Sequence, residues 1–488
     1  MNILSPTRSR WLIFAPLILF TTALLLYQGV FSALVIVVVF LVWILSHHLN
    51  IGFYGLALLA PMAEWEISFS NYSFLFQEYP RLLSINAPAI DFWIVFLGLA
   101  FVWHTIRQRE QGIHLPLLAP ALGFFVLFLT SAIVSLAHLP VSEISIGIKY
   151  ITRYLLMFYF GYLVLGINLC RDTAVWKRGL QILAGVGVVA ALLGALSLVM
   201  GVWSQSGFYR AVPISVFGFA PFGYRHILLA EVQLPTVPVL VYLWHTEVDQ
   251  IRRKWLSYTT LFVAVIALLT LSRAVWLVFG VSTMLFAVLT YQTYQSQWRT
   301  ILQKFSWGMY LLVPLAVYVV IFTFTHPSVE SSNDARSYLT SISMNLWQQF
   351  PLIGQGAGSF ITRLSEVEIF HIQFGEALDA HGIGQKLLSE QGLFGLITFL
   401  LLILTFLRPL LSKYRSYEHD VVRAPMYLLG FFLVFMPTLF QFFSTHYYAS
   451  TMWVPILFGV ITLSLWPDNS RPGFLRPTRQ SRIIKTKL

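Results

Sequence analysis

The sequence predicts an all-α, polytopic integral membrane protein, and three observations predict it. Of 488 residues, 57% are hydrophobic and only 10% are charged, with a mean hydropathy of +0.74, whereas soluble domains carry about 25% charged residues. Apolar runs of about 17–25 residues, the length a helix needs to cross hydrocarbon, recur from end to end. Segments of about 10 residues with alternating polarity, the signature of a β-barrel, do not occur. The expected architecture is a membrane domain over 1–470 with about 12–14 transmembrane helices and a helical loop on one side. A basic, disordered cytoplasmic tail over 471–488 follows it.

In order, the first run, 11–27, follows Arg8 and Arg10 in the manner of a signal peptide. A second run begins almost at once and no small-residue cleavage site stands out, so it reads as a retained span. Further spans are predicted near 29–46, 50–63, 89–106, 117–137, 144–167, 179–200, 223–245, 255–271, 274–291, 307–325, 391–407, 424–443 and 448–466. The third, 50–63, is short enough to be re-entrant. With the N-terminus in the cytoplasm, the loops on that side hold 22 of the 31 Lys and Arg residues, as topogenic charge requires. Without the third span, Arg107, Arg109 and the basic run 252–254 would fall outside, so the count supports an even number of spans with both termini inside. The net charge of +11 is therefore read as topogenic and not as a nucleic-acid surface. The tail, with Arg471, Arg476, Arg479, Arg482, Lys485 and Lys487 broken by Pro472 and Pro477, suits anionic lipid. The single cysteine, Cys170, can form no internal disulfide, and no metal-type Cys/His spacing is present.

The remaining cations are the informative ones: Arg81, Lys149, Arg153, Arg210, Arg225, Arg273, Arg336, Arg363 and Lys386. No topogenic rule asks for them, and several sit in or at the ends of spans, where an unpaired Arg costs about 2.5–3.5 kcal/mol at mid-helix. They need carboxylates of the protein or anions of a ligand. The main polar passage, 326–390, is a cap on the membrane domain. It holds Asn333-Asp334-Ala335-Arg336, then Pro351-Leu352-Ile353-Gly354-Gln355-Gly356-Ala357-Gly358-Ser359-Phe360, then Asp379-Ala380-His381-Gly382.

Each of these has two readings. Arg273, at the mouth of a helical hairpin, either snorkels to water or turns its planar donor fork on a phosphate. Arg336 pairs with Asp334 or Glu330, or meets a ligand. His381 opens a helix with Asp379 nearby and Glu390 further along, and an imidazole of pKa about 6.5 suits proton transfer at neutral pH. No strand precedes the three glycines at 354, 356 and 358, so they are no dinucleotide fingerprint. They predict a tight turn, and a helix starting after it could offer N–H groups to an anion. Gly392-x-x-Gly395 predicts close helix packing.

Taken in order, these pieces resemble the O-antigen ligase and polymerase superfamily of bacterial envelope glycosyltransferases. His381-Gly382, nine residues, then Gly392-x-x-Gly395 is similar to the family's His-(Asn/Ser/Gln)-x9-Gly-x-x-Gly signature, with Gly382 departing from the usual amide or hydroxyl. Ser272-Arg273-Ala274-Val275-Trp276 resembles its Ser-Arg-x-x-Trp element. Arg336 and the 351–360 turn resemble its loop arginine and Pro-Leu-x-Gly-x-Gly turn. The resemblance covers about 261–406.

What the resemblance implies is a metal-independent, inverting transfer in the bacterial inner membrane, with the active site on the periplasmic face and no cofactor. A glycan would move from undecaprenyl pyrophosphate to an acceptor hydroxyl on lipid A–core or a growing polysaccharide. Arg273 and Arg336 would hold the pyrophosphate and His381 would act as general base. Arg225 and Arg210 are further candidates for donor or sugar contacts, or Arg225 for a buried pair with Glu231. The acceptor stays open between ligase, polymerase and protein O-glycosyltransferase; the lack of an appended acceptor-binding domain favours ligase. From another class, a lipid-linked oligosaccharide flippase or secondary transporter would place charges near the midplane of two repeated halves, and no such repeat is evident.

Overall fold

The computed structural model describes residues 30–62, 65–68, 86–108, 119–170, 172–202, 210–291, 295, 327–365, 380–444 and 450–465. The predicted spans 11–27 and 307–325, Arg81, Asp379 and the tail lie outside the described residues, and the side chains of Lys149 and Arg153 are likewise undescribed.

The described chain is nearly all helical. It begins with α1 (Val30–His47) and α2 (Leu49–Leu59). A two-stranded antiparallel ribbon, β1 (Glu66–Ser68) and β2 (Asn86–Pro88), pairs Ile67 with Ala87. There follow α3 (Ala89–Gln108), α4 (Ala119–Ser135), a continuous helical stretch α5 over 144–169, and α6 (Thr173–Val199). Next come α7 (His226–Thr246), α8 (Gln250–Leu269), α9 (Arg273–Tyr291), α10 (Pro327–Gln349) and the short α11 (Ser359–Ser365). The chain closes with α12 (Ile383–Ser416), α13 (Arg423–Phe443) and α14 (Ser450–Leu465).

Among the described residues, seven helices are long and apolar enough to cross a membrane. α1 and α2 join them as one more span or a re-entrant pair, bent by 112° between 36–47 and 49–59. That bend falls at the short third run of the sequence. The fold is an all-α polytopic membrane protein.

Carboxylates at the loop ends start several helices by accepting orphan N–H groups. Asp172 takes Ala174 N–H, Asp249 takes Ile251 and Arg252 N–H, and Asp420 takes Val422 and Arg423 N–H. Prolines inside α7 (Pro235, Pro238) and α13 (Pro437) are of the kind membrane helices tolerate, since neighbours take up the freed carbonyls. One continuous core of buried apolar side chains, among them Trp176, Phe399, Phe406 and Tyr427, runs through the bundle. In it α12 packs against both α4 and α13, while α7 packs against α6, α8 and α13. α10 lies along the first turns of α12, over a small core of its own built from Leu339, Phe360 and Leu364.

Candidate active site

The site grows from the end of α8. A helix leaves its last carbonyls without intrahelical donors, and here two neighbours supply them. The Trp276 indole N–H donates to Leu268 O at 3.0 Å, and Ala211 N–H donates to Leu269 O at 2.9 Å. Trp276 belongs to the Ser-Arg-x-x-Trp element, so the first bond folds α9 back on α8 and sets Arg273 at the turn. Leu271, in the left-handed region at φ 52°, makes that turn tight. The second bond fixes the residue after Arg210, and Val212 N–H is held by the Ser197 hydroxyl at 3.1 Å. One helix end thus brings Arg210 and Arg273 to the same end of the bundle, where a helix dipole also favours cations.

Arg273 donates through a terminal nitrogen to the Asn333 side-chain oxygen on α10. Arg336 lies one turn further along α10, close enough that the charge of Arg273 acts on it. Burial first and that charge second pull the Arg336 guanidinium down to about 10. Burial also lowers Arg210. Between them sits His226, the first residue of α7, with its Nε2 3.3 Å from a terminal nitrogen of Arg210 and its ring in the field of both Arg210 and Arg336. Since a guanidinium only donates, His226 Nε2 accepts.

Among the described residues no carboxylate pairs with Arg210, Arg273 or Arg336. The Nε atoms of Arg210 and Arg336 are buried and make no hydrogen bond. Buried donors without partners cost stability, and two guanidinium groups beside the His226 ring, with Arg273 acting on one of them, form a seat suited to an anion. Asp334, one of the pairing partners considered for Arg336, is exposed.

His381, two residues before α12, is linked to α10 through its backbone. Its backbone N–H donates to the Gln385 amide oxygen at 3.2 Å, and the Gln385 amide nitrogen donates to the Thr340 hydroxyl at 2.7 Å. Thr340 in turn donates to the Arg336 carbonyl at 2.7 Å. The start of α12 is therefore tied to the turn of α10 that follows Arg336. Gly382 has a physical reason to be glycine: a Cβ there would stand 2.4 Å from the Phe442 carbonyl oxygen.

Glu390 lies deep in α12. It is 1% exposed and turned to the glycine turn, accepting from Phe360 N–H at 3.2 Å and facing Lys386 Nζ at 3.7 Å. Lys386, 2% exposed, also reaches the Tyr150 hydroxyl and lies over its ring. The anion at the start of the helix after the glycines is thus the protein's own carboxylate.

The glycine turn docks on a break in α12. Gly392 has φ 67° and ψ −165°, outside helical geometry. The break frees Leu393 and Phe394 N–H to donate to Pro351 O and Leu352 O. Gln355 and Gly356 N–H donate to Ser389 O and Glu390 O in the other direction. A Cβ at Gly392 would stand 2.4 Å from Leu352 C, and one at Gly354 would stand 2.3 Å from Glu390 C, so backbone meets backbone only through glycine. Gly395 faces α4 instead, where a Cβ would lie 3.1 Å from the Ser131 hydroxyl. Gly392 is therefore a helix break that receives the turn, and Gly395 is the helix-packing position.

Arg225 stands apart. It is exposed at the residue before α7. Glu231 is 3% exposed and accepts from Gln441 and Thr451, so the Arg225–Glu231 alternative is not formed. His226, its neighbour, was not singled out from sequence. The available signal was an imidazole at the first position of an apolar helix, directly after an arginine.

Fold and site together define a multi-pass helical membrane protein that gathers, at one end of its bundle, guanidinium groups with no carboxylate partner among the described residues. Residues 258–400 match the family model for O-antigen ligase, so this segment of the chain is similar to that family. The matched segment holds Arg273, Arg336, His381, Gly392 and Gly395, while Arg210, Arg225 and His226 precede it. No curated protein matches the chain.

Proposed function

We propose that the protein transfers a glycan from undecaprenyl pyrophosphate to an acceptor hydroxyl on the periplasmic side of the inner membrane, acting as an O-antigen ligase on lipid A–core. The observation that carries this reading is the gathering of Arg210 and Arg336 beside His226, with Arg273 acting on Arg336, and no paired carboxylate among the described residues. In the proposed step the acceptor oxygen attacks the anomeric carbon, the bond from that carbon to the pyrophosphate oxygen breaks, and configuration inverts. The acceptor proton passes to His381. The pyrophosphate gains negative charge as it leaves, and preorganised cations in a water-poor site stabilise that charge strongly. In this reading the arginines do so without a metal.

The test is transfer by purified protein given a lipid-pyrophosphate glycan donor and lipid A–core. The expected result is a ligated product and released undecaprenyl pyrophosphate. His381→Ala should lower turnover by about 10²–10⁴, the usual worth of general acid–base catalysis, with donor binding little changed. Full transfer by both His381→Ala and His381→Asn would remove His381 from the mechanism. Extension of the donor glycan itself would make the enzyme a polymerase, and movement of donor without pyrophosphate release would make the protein a transporter.

A further inference from the structure

The loop from Arg210 to Arg225 carries a feature that the cationic cluster does not use. Val216 and Phe219 exchange both backbone hydrogen bonds, at 2.9 and 3.0 Å, closing a two-residue turn with Phe217 at φ 52° and Gly218 at φ 81°. Such a turn ordinarily takes Asn-Gly or Gly-Gly, and a bulky side chain rarely adopts a positive φ. Packing does not explain the choice, because Phe217 is fully exposed and no atom lies within 4 Å of a Cβ built at Gly218. Val216 and Phe219 are also exposed, and Phe219 meets the half-exposed Trp65 edge-on at 5.2 Å. The apolar surface resumes at the adjoining end of α6, where Val199, Met200 and Val202 are exposed.

The charges complete the pattern. Residues 211–224 contain no Asp, Glu, Lys or Arg, and arginines stand at both feet, Arg210 and Arg225. An apolar tip above basic feet is the arrangement of segments that seat in the boundary between acyl chains and headgroups. The tip itself, Val216-Phe217-Gly218-Phe219, carries no polar side chain.

We infer that the 216–219 turn is a bilayer anchor, with Phe217 and its apolar neighbours among the acyl chains and Arg225 at the level of the headgroup phosphates. The anchor holds the loop that presents Arg210, and the first residue of α7, His226, at a fixed height against the lipid surface. It rests on the membrane character of the fold and not on the transfer chemistry.

Cys170 is the single cysteine and is buried, so a nitroxide can be placed by Phe217→Cys in the full chain reconstituted into phospholipid vesicles. Val248→Cys, on the exposed turn between α7 and α8, serves as the control. The expected result is strong relaxation of the 217 label by oxygen and weak relaxation by a water-soluble nickel chelate, with the reverse at 248. If Phe217→Cys does not fold, Val216→Cys reads the same turn. A 217 label that meets the nickel chelate as freely as the 248 label would overturn the proposal. So would a water-exposed label that is immobilised only when a lipid-linked glycan is added, which would give the turn to the glycan. Neither reading depends on turnover, so failure here is distinct from failure of the proposed transfer.

Discussion

The Gln385 amide donates to the Thr340 hydroxyl at 2.7 Å while its oxygen accepts from His381 N–H. One side chain therefore sets the distance between the helix that opens with His381 and the helix that carries Arg336. Displacement of a reacting group by about 1 Å can cost about 10²-fold in rate. Gln385→Ala is expected to lower transfer by about 10–100-fold while donor affinity changes less than about threefold. Measured transfer and donor binding on the same variant would check this, and an equal loss in both would mean that Gln385 supports binding and not alignment.

His226 accepts from Arg210 at 3.3 Å, which makes it a positioning residue for that guanidinium. Gln can still accept at the end of a side chain of similar reach, and Phe cannot. His226→Gln should keep donor affinity within several-fold, and His226→Phe should weaken it by about tenfold or more, with the larger effect in KM. Steady-state kinetics against donor concentration would show the split. Equal behaviour of the two variants would reduce His226 to a space-filling role.

Much of this organisation was legible in the chain because its causes are local. Apolar runs of fixed length define spans whatever packs against them, and Arg273 and Arg336 stood out because a cation outside the topogenic loops needs a reason. The seat of Arg210 was less legible, since it depends on Leu269 and Ser197 offering it a carbonyl and a hydroxyl from two other helices. The break at Gly392 was hidden because apolar sequence continues through it and only the approach of Leu352 requires it. Proximity in sequence offered Glu390, along with Asp379, as a neighbour for His381. For Glu390 the i−4 neighbour Lys386, on the same face of the helix, is the partner that burial selects.

Arg336 is held down to about 10 by burial and by Arg273, so it remains charged at neutral pH at a cost to the folded state. The sign follows from linkage: a base whose folded pKa lies below its unfolded value makes the fold gain stability as pH rises through the folded pKa. Arg336→Met should therefore leave the donor-free Tm at or above that of the parent while abolishing the rise in Tm that donor gives. Arg336→Lys should be nearly as inactive as Arg336→Ala, since an ammonium cannot reproduce a two-pronged grip on pyrophosphate. Donor binding to the parent should hold steady from neutral pH to about 10, since the Arg336 guanidinium keeps its charge across that range. Thermal shifts with and without donor, with transfer assays on Arg336→Lys, would check all three. Near-normal transfer by the lysine variant would make Arg336 a point charge.

Lys386 and Glu390 are both almost fully buried, 3.7 Å apart. Tyr150 holds the ammonium and Phe360 N–H holds the carboxylate, so the pair joins α12 to α5 and to the helix after the glycine turn. Breaking a buried pair on one side leaves a charge without its counter-charge and costs about 3–5 kcal/mol, whereas replacing both members is often close to neutral. Glu390→Gln keeps an oxygen for Phe360 N–H but removes the charge that faces Lys386, and Lys386→Met keeps the volume of the stem. Each single variant is expected to lower Tm in detergent clearly. The double variant Lys386→Met/Glu390→Gln should lie above the lower of the two singles, with a coupling of about 1–3 kcal/mol. A double variant whose loss equals the sum of the singles would show that the two residues act independently, and that the glycine turn is held to α12 by its backbone hydrogen bonds without help from this pair.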